Sequence, residues 1–381
     1  MSLHRRDFLG AAALLAAPQI LFAQAATERR FIFIIQRGAA DGLNTVIPYA
    51  EPAYASSRGA LAIDSAGALK LDGTFALHPS LAKLGELYAA GQAAFFHAVA
   101  SPYRDRSHFD GQNVLETGGS APYQVKDGWM NRLLGALPKR GKSALAFTSG
   151  VPLALRGAVE VASYAPSALP QASEDLMMRL DQLYAKDAQL HAVWSSALEA
   201  RRMAGGMSGS SNRQDAAALG RMAAGFLARA DGPRIAMIET SGWDTHSGQT
   251  ARLATRLRGL DGLIGGLQEG LGPVWAQTVI LVATEFGRTV AANGTGGTDH
   301  GTGAVAMLVG GAVQGGRVVT DWPGLAAANL HEGRDLKPTL ALDALVAATC
   351  AQSFAMEPDR LARVLFPYGA DVKSIPRLLR A

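Results

Sequence analysis

Short apolar runs that alternate with longer helical patterns constrain this 381-residue chain more than any other feature. Six runs rich in Ile, Val and Phe have the length of strands, and most lack the alternation of a half-exposed strand. Such strands are typical of a parallel sheet that helices cover on both faces. The predicted strands are FIFIIQ (31–36), AAFFHAVA (93–100), ALAFTS (144–149), RIAMIET (234–240), TVILVAT (278–284) and AVAMLVGG (304–311).

Helical patterns fill the intervals, so we expect a three-layer α/β/α sandwich around a mostly parallel sheet. The predicted helices are Leu81–Ala90, Phe109–Thr117, Ser173–Met203, Gln214–Ala230, Ser247–Gly270, Thr339–Gln352 and Pro358–Phe366. Two of them lie within 173–230 and are joined by AGGMSGSSNR (204–213), which has the composition of a flexible linker. This helical insertion is predicted to form either a cap over the sheet or a peripheral helical hairpin.

The first 25 residues are predicted to be a signal peptide. Arginines at positions 5 and 6 precede Phe-Leu, an interrupted apolar stretch follows, and AQA (23–25) forms a small-residue exit. We expect cleavage after Ala25, which leaves one domain over residues 26–381. The twin-arginine machinery would then export the folded protein to the periplasm or beyond.

Composition excludes several classes of protein. Beyond the leader, no stretch of about eighteen unbroken apolar residues predicts a stable membrane span. The single cysteine, Cys350, excludes a disulfide framework. The net charge of +4 is spread along the chain without a block of Lys and Arg, so no nucleic-acid partner is predicted.

Polar residues gather at the junctions that follow the predicted strands. In an open α/β sheet, ligands bind beyond the carboxyl ends of the strands. Five junctions expected at that edge carry acids, histidines and arginines, namely RGAADGLN (37–44), SPYRDRSHFDGQ (101–112), SGWDTH (241–246), EFGR (285–288) and TDHG (298–301). Their coincidence on one edge predicts a binding or catalytic site.

Two pairs of residues at these junctions have the chemistry of metal ligands. Asp244 with His246, and Asp299 with His300, each combine a carboxylate with an imidazole, a combination that suits zinc, manganese or iron and that calcium avoids. Asp244 alternatively caps the helix that follows it. The glycines around Asp299 and His300 let the backbone approach a ligand closely or simply make a turn.

Ser107 opens a predicted helix, with Asp110 three residues later, which is close to a capping box. The same position also suits a nucleophile, because a helix N-terminus favours phosphate or sulfate and a metal could lower the pKa of the hydroxyl. Arg104, Arg106 or Arg288 could then clamp the anion through paired hydrogen bonds.

Seven segments of the sequence resemble one bacterial family. They are RRDFLG, RGAADGLN, LHPSL, RSHFDGQ, GWDTHSGQ, TEFGRT and GTDHGTG, and they occur in that family's order over nearly the whole chain. The chain is thereby identified as similar to the twin-arginine-exported family of domain of unknown function 1501. That family is placed in the alkaline phosphatase/sulfatase superfamily, which implies an alkaline phosphatase-like fold.

The resemblance also implies roles for individual residues. Asp41, Asp244, His246, Glu285 and His300 would hold a divalent metal, zinc or manganese, with Asp299 as a further ligand or as a support. Ser107, or a water molecule, would attack the ester, and His108 and Arg288 would steady the transferred group. Phe286 stands where the superfamily has a second-site histidine, so one metal site is expected and a second is doubtful.

The leading hypothesis is a metal-dependent hydrolase of phosphate or sulfate esters that acts on a small-molecule or glycan substrate. The first alternative is a protein of the same fold whose catalysis has decayed and which binds or assembles an envelope component, as Phe286 suggests. A second alternative, a cofactor-bearing oxidoreductase, is suggested by the twin-arginine route alone.

Overall fold

A nine-stranded sheet organises the computed structural model, which describes residues 28–138, 144–165, 174–185, 187, 190–191, 194–195, 198 and 215–380. The strands in chain order are β1 (Arg30–Arg37), β2 (Val46–Ile47), β3 (Leu69–Lys70), β4 (Ala76–Leu77), β5 (Ala93–Ala100), β6 (Ala144–Phe147), β7 (Ala162–Ser163), β8 (Ile235–Ser241), β9 (Thr278–Ala283), β10 (Ala304–Val309), β11 (Arg317–Val319) and β12 (Leu340–Ala341). The order in the large sheet is β11-β5-β10-β9-β1-β8-β6-β7, and β12 pairs with the end of β5.

The large sheet is mostly parallel, as predicted. β1 pairs in parallel with β8 and β9, which places Phe31 beside Ile235 on one side and Val279 on the other. β10 runs antiparallel to both β5 and β9. β2, β4 and β3 form a small antiparallel sheet that the sequence did not predict.

The helices in chain order are α1 (Gly42–Thr45), α2 (Tyr54–Arg58), α3 (Ala82–Ala89), α4 (His108–Thr117), α5 (Trp129–Ala136), α6 (Glu174–Tyr184), α7 (Ala216–Leu227), α8 (Gln249–Leu271), α9 (Leu342–Ser353) and α10 (Pro358–Leu365). α5 was not predicted. α8 starts two residues later than predicted, because Gly248 takes a left-handed conformation with φ of +54° directly before it. α9 also starts later, because the preceding residues form β12.

Alternate side chains of β1 enter two separate hydrophobic cores. Phe31 and Phe33 pack into a core with the apolar faces of α5, α9 and α10. Ile32 and Ile34 pack into the other core with α3, α7 and α8. Helices therefore cover both faces of the sheet, which confirms the three-layer sandwich and explains why the strands lack alternation.

The second helix of the predicted insertion, α7, lies in one of these helix layers. α7 and α8 approach closely, since a Cβ at Gly220 would collide with the carbonyl of Leu263 and one at Gly266 with that of Ala217. A cap over the sheet formed by 173–230 stays a prediction. The signal peptide 1–25 and the linker 204–213 lie outside the described residues. Within the described ranges, no helix has the length and apolarity needed to cross a membrane.

Candidate metal centre

The predicted polar junctions meet at one edge of the sheet. β1, β5, β8 and β9 end at this edge and the antiparallel β10 begins there. The segments that follow or precede these strands bring together side chains that lie far apart in sequence, namely His108, Asp244, His246, Glu285, Asp299 and His300.

Three imidazoles converge on the carboxylate of Asp244. The Nε2 atoms of His246 and His300 lie 3.1 and 3.3 Å from Asp244 Oδ1. The Nε2 atom of His108 lies 3.5 Å from Asp244 Oδ2. The Nε2 atoms of His246 and His300 are themselves 3.0 Å apart. We call these four side chains the His108–Asp244–His246–His300 cluster.

Each imidazole of the cluster has its Nδ1 atom against a hydrogen-bond acceptor. His108 Nδ1 is 2.8 Å from Glu285 Oε1, and His246 Nδ1 is 3.1 Å from Asp299 Oδ1. His300 Nδ1 is 2.8 Å from the carbonyl of Arg106. A carbonyl or an ionised carboxylate only accepts, so each Nδ1 donates and the neutral ring keeps a lone pair on Nε2. Metal-binding histidines are oriented in this way.

Glu285 was predicted as a metal ligand, but the structure makes it the buried partner of His108. Its Oε1 accepts from the Gly38 amide at 2.8 Å and from Gln112 at 3.0 Å, besides His108, and its Oε2 accepts from the Thr284 hydroxyl at 3.0 Å. Burial opposes ionisation, yet the hydrogen bonds from His108 and Gln112 hold the pKa of Glu285 below its usual value.

Asp299 contacts the Nδ1 side of the His246 ring. Its Oδ1 accepts from the Asn293 amide group at 3.0 Å as well as from His246. These contacts, with Asn293 the stronger, lower the pKa of Asp299 and keep it ionised. The carboxylate thus fixes the ring of His246.

The histidines of the cluster differ in proton affinity. The hydrogen bond to Glu285 raises the pKa of His108. Burial and the neighbouring charge of His108 lower the pKa of His300. Asp244 loses solvation by burial, but the Arg288 guanidinium and the nearby imidazoles hold its pKa below the usual value. The cluster therefore keeps an ionised carboxylate beside His300, a ring that favours its neutral, ligating form.

Arg288 was predicted to clamp an anion, but its buried guanidinium is committed to the protein. It forms an ion pair with Asp244. Its three nitrogens also donate to four backbone carbonyls, those of Gly38, Ala39, Trp243 and Thr298. These bonds connect the ends of β1 and β8 to the segment before β10. Arg288 therefore stabilises the junctions that carry the cluster.

Asp41 was predicted as a ligand, and the structure places it outside the cluster. It is buried and forms an ion pair with the fully buried Arg58. It also accepts hydrogen bonds from the Gln249 side chain and the Asn44 amide. The guanidinium of Arg58 therefore compensates the buried charge of Asp41.

Ser107 occupies the N-cap of α4, with extended backbone angles, immediately before His108. Within the described structure, its side chain forms no capping hydrogen bond with the first turn of α4. The preceding residue, Arg106, has a φ of +61°, and its guanidinium is paired with Glu332 and Asp335. Arg104 donates to backbone carbonyls. Thus the predicted clamping arginines have protein partners, whereas the Ser107 hydroxyl is not used as a helix cap.

Phe286 forms an apolar wall of the cluster. Its ring stacks on His108, with centroids 5.1 Å apart, and lies 5.3 Å from the ring of His300. It is buried with Ala39, Tyr103 and Val114. The place expected for a second-site histidine is therefore part of a small hydrophobic core.

Glycines let the segment before β10 pack closely. A Cβ at Gly297 would collide with the backbone of His246, and one at Gly301 with that of Arg288. These glycines thus allow backbone to pack on backbone, whereas the predicted close approach to a ligand stays a prediction.

A family model described as a protein of unknown function, DUF1501, matches residues 28–365. The chain belongs to the DUF1501 family. This confirms the family that the sequence motifs predicted. A search of curated proteins found no match.

Solved structures similar to this DUF1501 protein include the following three. They are Ps i-CgsB in complex with k-i-k-neocarrahexaose (13% identity, 88% of this chain and 74% of that one, TM-score 0.43), the phosphonate monoester hydrolase of Agrobacterium radiobacter (11%, 90% and 78%, 0.37) and the PsFucS1 sulfatase from Pseudoalteromonas sp. (13%, 83% and 68%, 0.34). At these TM-scores the likenesses carry no weight in assigning a function.

The donor atoms of three of the four side chains in the cluster fit a divalent metal. The ligand atoms of His108, Asp244 and His300 all lie within 4.8 Å of one another. Two ligands of a tetrahedral zinc ion lie about 3.4 Å apart, close to the distances observed here. His108 Nε2 is buried and has no hydrogen-bond partner among the described residues, as expected for an atom reserved for a metal.

Sequence reasoning assigned His108 to the transferred group rather than to the metal. Two signals were available, namely its position in the junction that follows β5 and a glutamate at the end of another strand that could accept its Nδ1 proton. The hydrogen bond between His300 Nδ1 and the Arg106 carbonyl could not be predicted from the sequence, because every residue type carries a backbone carbonyl.

Proposed function

We propose that this DUF1501 protein is a metal-dependent hydrolase of phosphate or sulfate esters, with a single divalent ion held by the His108–Asp244–His246–His300 cluster. The observation that carries the proposal is the convergence of three Nε2 atoms on one carboxylate, with every Nδ1 atom bound to an acceptor. Three imidazoles and one carboxylate favour zinc, with manganese as the next candidate.

The chain's own residues would bind and orient the ester. When bound, the ion would supply a Lewis acid for the transferred group. The Ser107 hydroxyl lies beside His108 at the N-terminus of α4, where the partial positive charge of the helix favours an anion. Ser107, or a water molecule in its place, would attack the phosphorus or sulfur atom and lose its proton to solvent, while the bond to the ester oxygen breaks and the alcohol leaves with a proton from solvent. If Ser107 attacks, a water molecule would then hydrolyse the ester formed on its hydroxyl and release phosphate or sulfate. Phe286 would exclude water from one side of the cluster.

Metal content and turnover test the proposal together. We expect about one zinc or manganese ion per chain in the purified protein, and turnover within a panel of chromogenic phosphate monoesters, phosphate diesters and sulfate esters. His300→Ala should lose both the metal and the activity. His331→Ala, which removes a partly exposed imidazole outside the cluster, is the matched control and should keep both. A metal-free, inactive wild-type protein would refute the proposal.

A second candidate function is that of an envelope binding protein whose catalysis has decayed. Two observations favour it, since Phe286 fills the place of a second-site histidine and Arg288 is committed to backbone carbonyls. Stoichiometric metal without turnover of any ester in the panel would support this candidate over the hydrolase.

We also propose that the protein acts in the periplasm or outside the cell after twin-arginine export. The support is the sequence of residues 1–25. Replacement of Arg5 and Arg6 by lysine should retain the precursor in the cytoplasm, as measured by cell fractionation. Normal export of that variant would exclude the twin-arginine route.

A further inference from the structure

Gln249 connects the two loops that carry most of the candidate ligands. It is the first residue of α8, and its side chain is completely buried. Its Oε1 accepts a hydrogen bond from the Thr245 hydroxyl at 2.9 Å and another from the Thr298 hydroxyl at 2.6 Å. One side-chain amide therefore holds residues that are more than fifty positions apart in the sequence.

The two threonines are the immediate neighbours of candidate ligands. Thr245 lies between Asp244 and His246, and Thr298 directly precedes Asp299 and His300. Their backbones also meet, because the Thr298 amide donates to the Thr245 carbonyl at 3.2 Å. A shift of either threonine would thus change the distance between the imidazoles of His246 and His300.

The orientation of the Gln249 side-chain amide is fixed by the hydrogen bond that its nitrogen donates. Its Nε2 donates to Asp41, whose carboxylate is paired with Arg58. Arg58 in turn donates to the carbonyls of Thr289 and Val290, in the segment after β9. With the amide nitrogen directed to a carboxylate, the oxygen must face the two hydroxyls. Buried networks in which every group is satisfied are rigid.

We propose that Thr245, Gln249 and Thr298 form a clamp, anchored by Asp41 and Arg58, that holds the two ligand-bearing loops at the spacing required for metal binding. These side chains are positioning residues, because they touch the loops and not the candidate ligand atoms. The metal-binding part of the inference rests on the proposed function. The loop-ordering part does not.

Metal affinity in single-hydroxyl variants is the first test. Thr298→Val removes one donor to Gln249 and keeps the shape of the side chain, so affinity for Zn²⁺ or Mn²⁺, measured by competition with a chromogenic chelator, should fall about tenfold. Thr298→Ser restores the hydroxyl and should bind within about twofold of wild type. Thr349→Val removes another fully buried hydroxyl, which donates to Leu345 within α9, and should leave the affinity unchanged.

Amide hydrogen exchange in the metal-free protein is the second test. Thr298→Val should raise exchange in both loops, 244–246 and 298–300, although only one loop carries the change. Thr349→Val should raise it in neither loop. If exchange in the two loops is the same in Thr298→Val as in the Thr349→Val control, the clamp is refuted. If wild type binds neither ion, the proposed function fails, whereas the exchange result still decides whether the clamp orders the loops.

Discussion

Two buried histidines outside the cluster should make the free energy of unfolding depend strongly on pH. Burial lowers the pKa of His97 from 6.5 to about 4, and burial with the nearby Arg258 lowers that of His78 by the same amount. The hydrogen bonds at the Nδ1 atoms of both rings also disfavour protonation. His97 Nδ1 accepts from the Ala98 amide at 2.9 Å, and His78 Nδ1 accepts from the Ser80 amide at 3.0 Å. A second ring proton would point at an N–H group.

The sign follows from the lowered pKa values. Between about pH 6.5 and pH 4 the unfolded chain binds protons at these histidines and the folded chain does not, so stability falls as the pH is lowered. For a shift from 6.5 to about 4, each histidine lowers the free energy of unfolding by about 2.5 kcal/mol at about pH 4.5, relative to about pH 7.5. Together they would lower it by about 5 kcal/mol, which approaches the whole stability of many domains.

Urea unfolding of the chelator-treated protein at these two pH values measures the effect. His97→Asn keeps a side-chain acceptor for the Ala98 amide and removes the titrating group. It should be less stable than wild type near neutral pH, because His97 stacks on Phe75 and contacts Trp322. Its loss of stability on acidification should nevertheless be smaller than that of wild type by about 2.5 kcal/mol. An equal loss in the two proteins would refute the assignment of a lowered pKa to His97.

Three further predictions concern the candidate metal centre. Arg288→Lys should lower the free energy of unfolding by about 3–5 kcal/mol, because one ammonium cannot replace bonds to four carbonyls and a carboxylate. The control is Arg252→Lys, at an exposed arginine. Equal urea midpoints for the two variants would contradict the prediction. Phe286→His should cost about 1–3 kcal/mol and leave the metal content at about one ion per chain; a second ion found by elemental analysis would contradict it. Ser107→Ala should change the free energy of unfolding by less than about 0.5 kcal/mol, since no capping hydrogen bond is lost. It should lower ester turnover at least about 100-fold. Undiminished turnover would show that a water molecule, and not Ser107, attacks the ester.

The layer architecture was predictable because burial on both faces leaves a direct trace in sequence. β1, whose alternate residues enter two different cores, reads as a continuous apolar run. The antiparallel direction of β10 was not predictable, since a buried strand has the same composition in either direction. α5 was not predicted, although Trp129, Met130, Leu133 and Leu134 are all buried.

The sequence predicted which junctions meet at one edge of the sheet, but not which side chains contact each other there. The rule for strand ends brought the correct junctions together. Glu285 and Asp244 are both carboxylates at such junctions, yet one accepts from an imidazole Nδ1 and the other faces three Nε2 atoms. Both side chains end in a carboxylate, so the orientation of the imidazole rings is what distinguishes their contacts. The predictions for Arg288 and Asp41 did not anticipate their ion-pair partners, Asp244 and Arg58, which lie 44 and 17 positions away in the sequence.

Phe286 links the architecture of the cluster to the number of metal ions it can hold. Its ring packs on two of the candidate ligands, His108 and His300, and closes a hydrophobic core with Tyr103 and Val114. A histidine at this position would add a ligand but would remove the surface that orients the other two rings. Phe286 therefore disfavours a second ion and packs against two side chains that are proposed to hold the first. A hydrolase built on this cluster would work with one ion and depend on its own hydroxyl or on water for attack, which is why Ser107 and the imidazoles of the cluster have to be tested together.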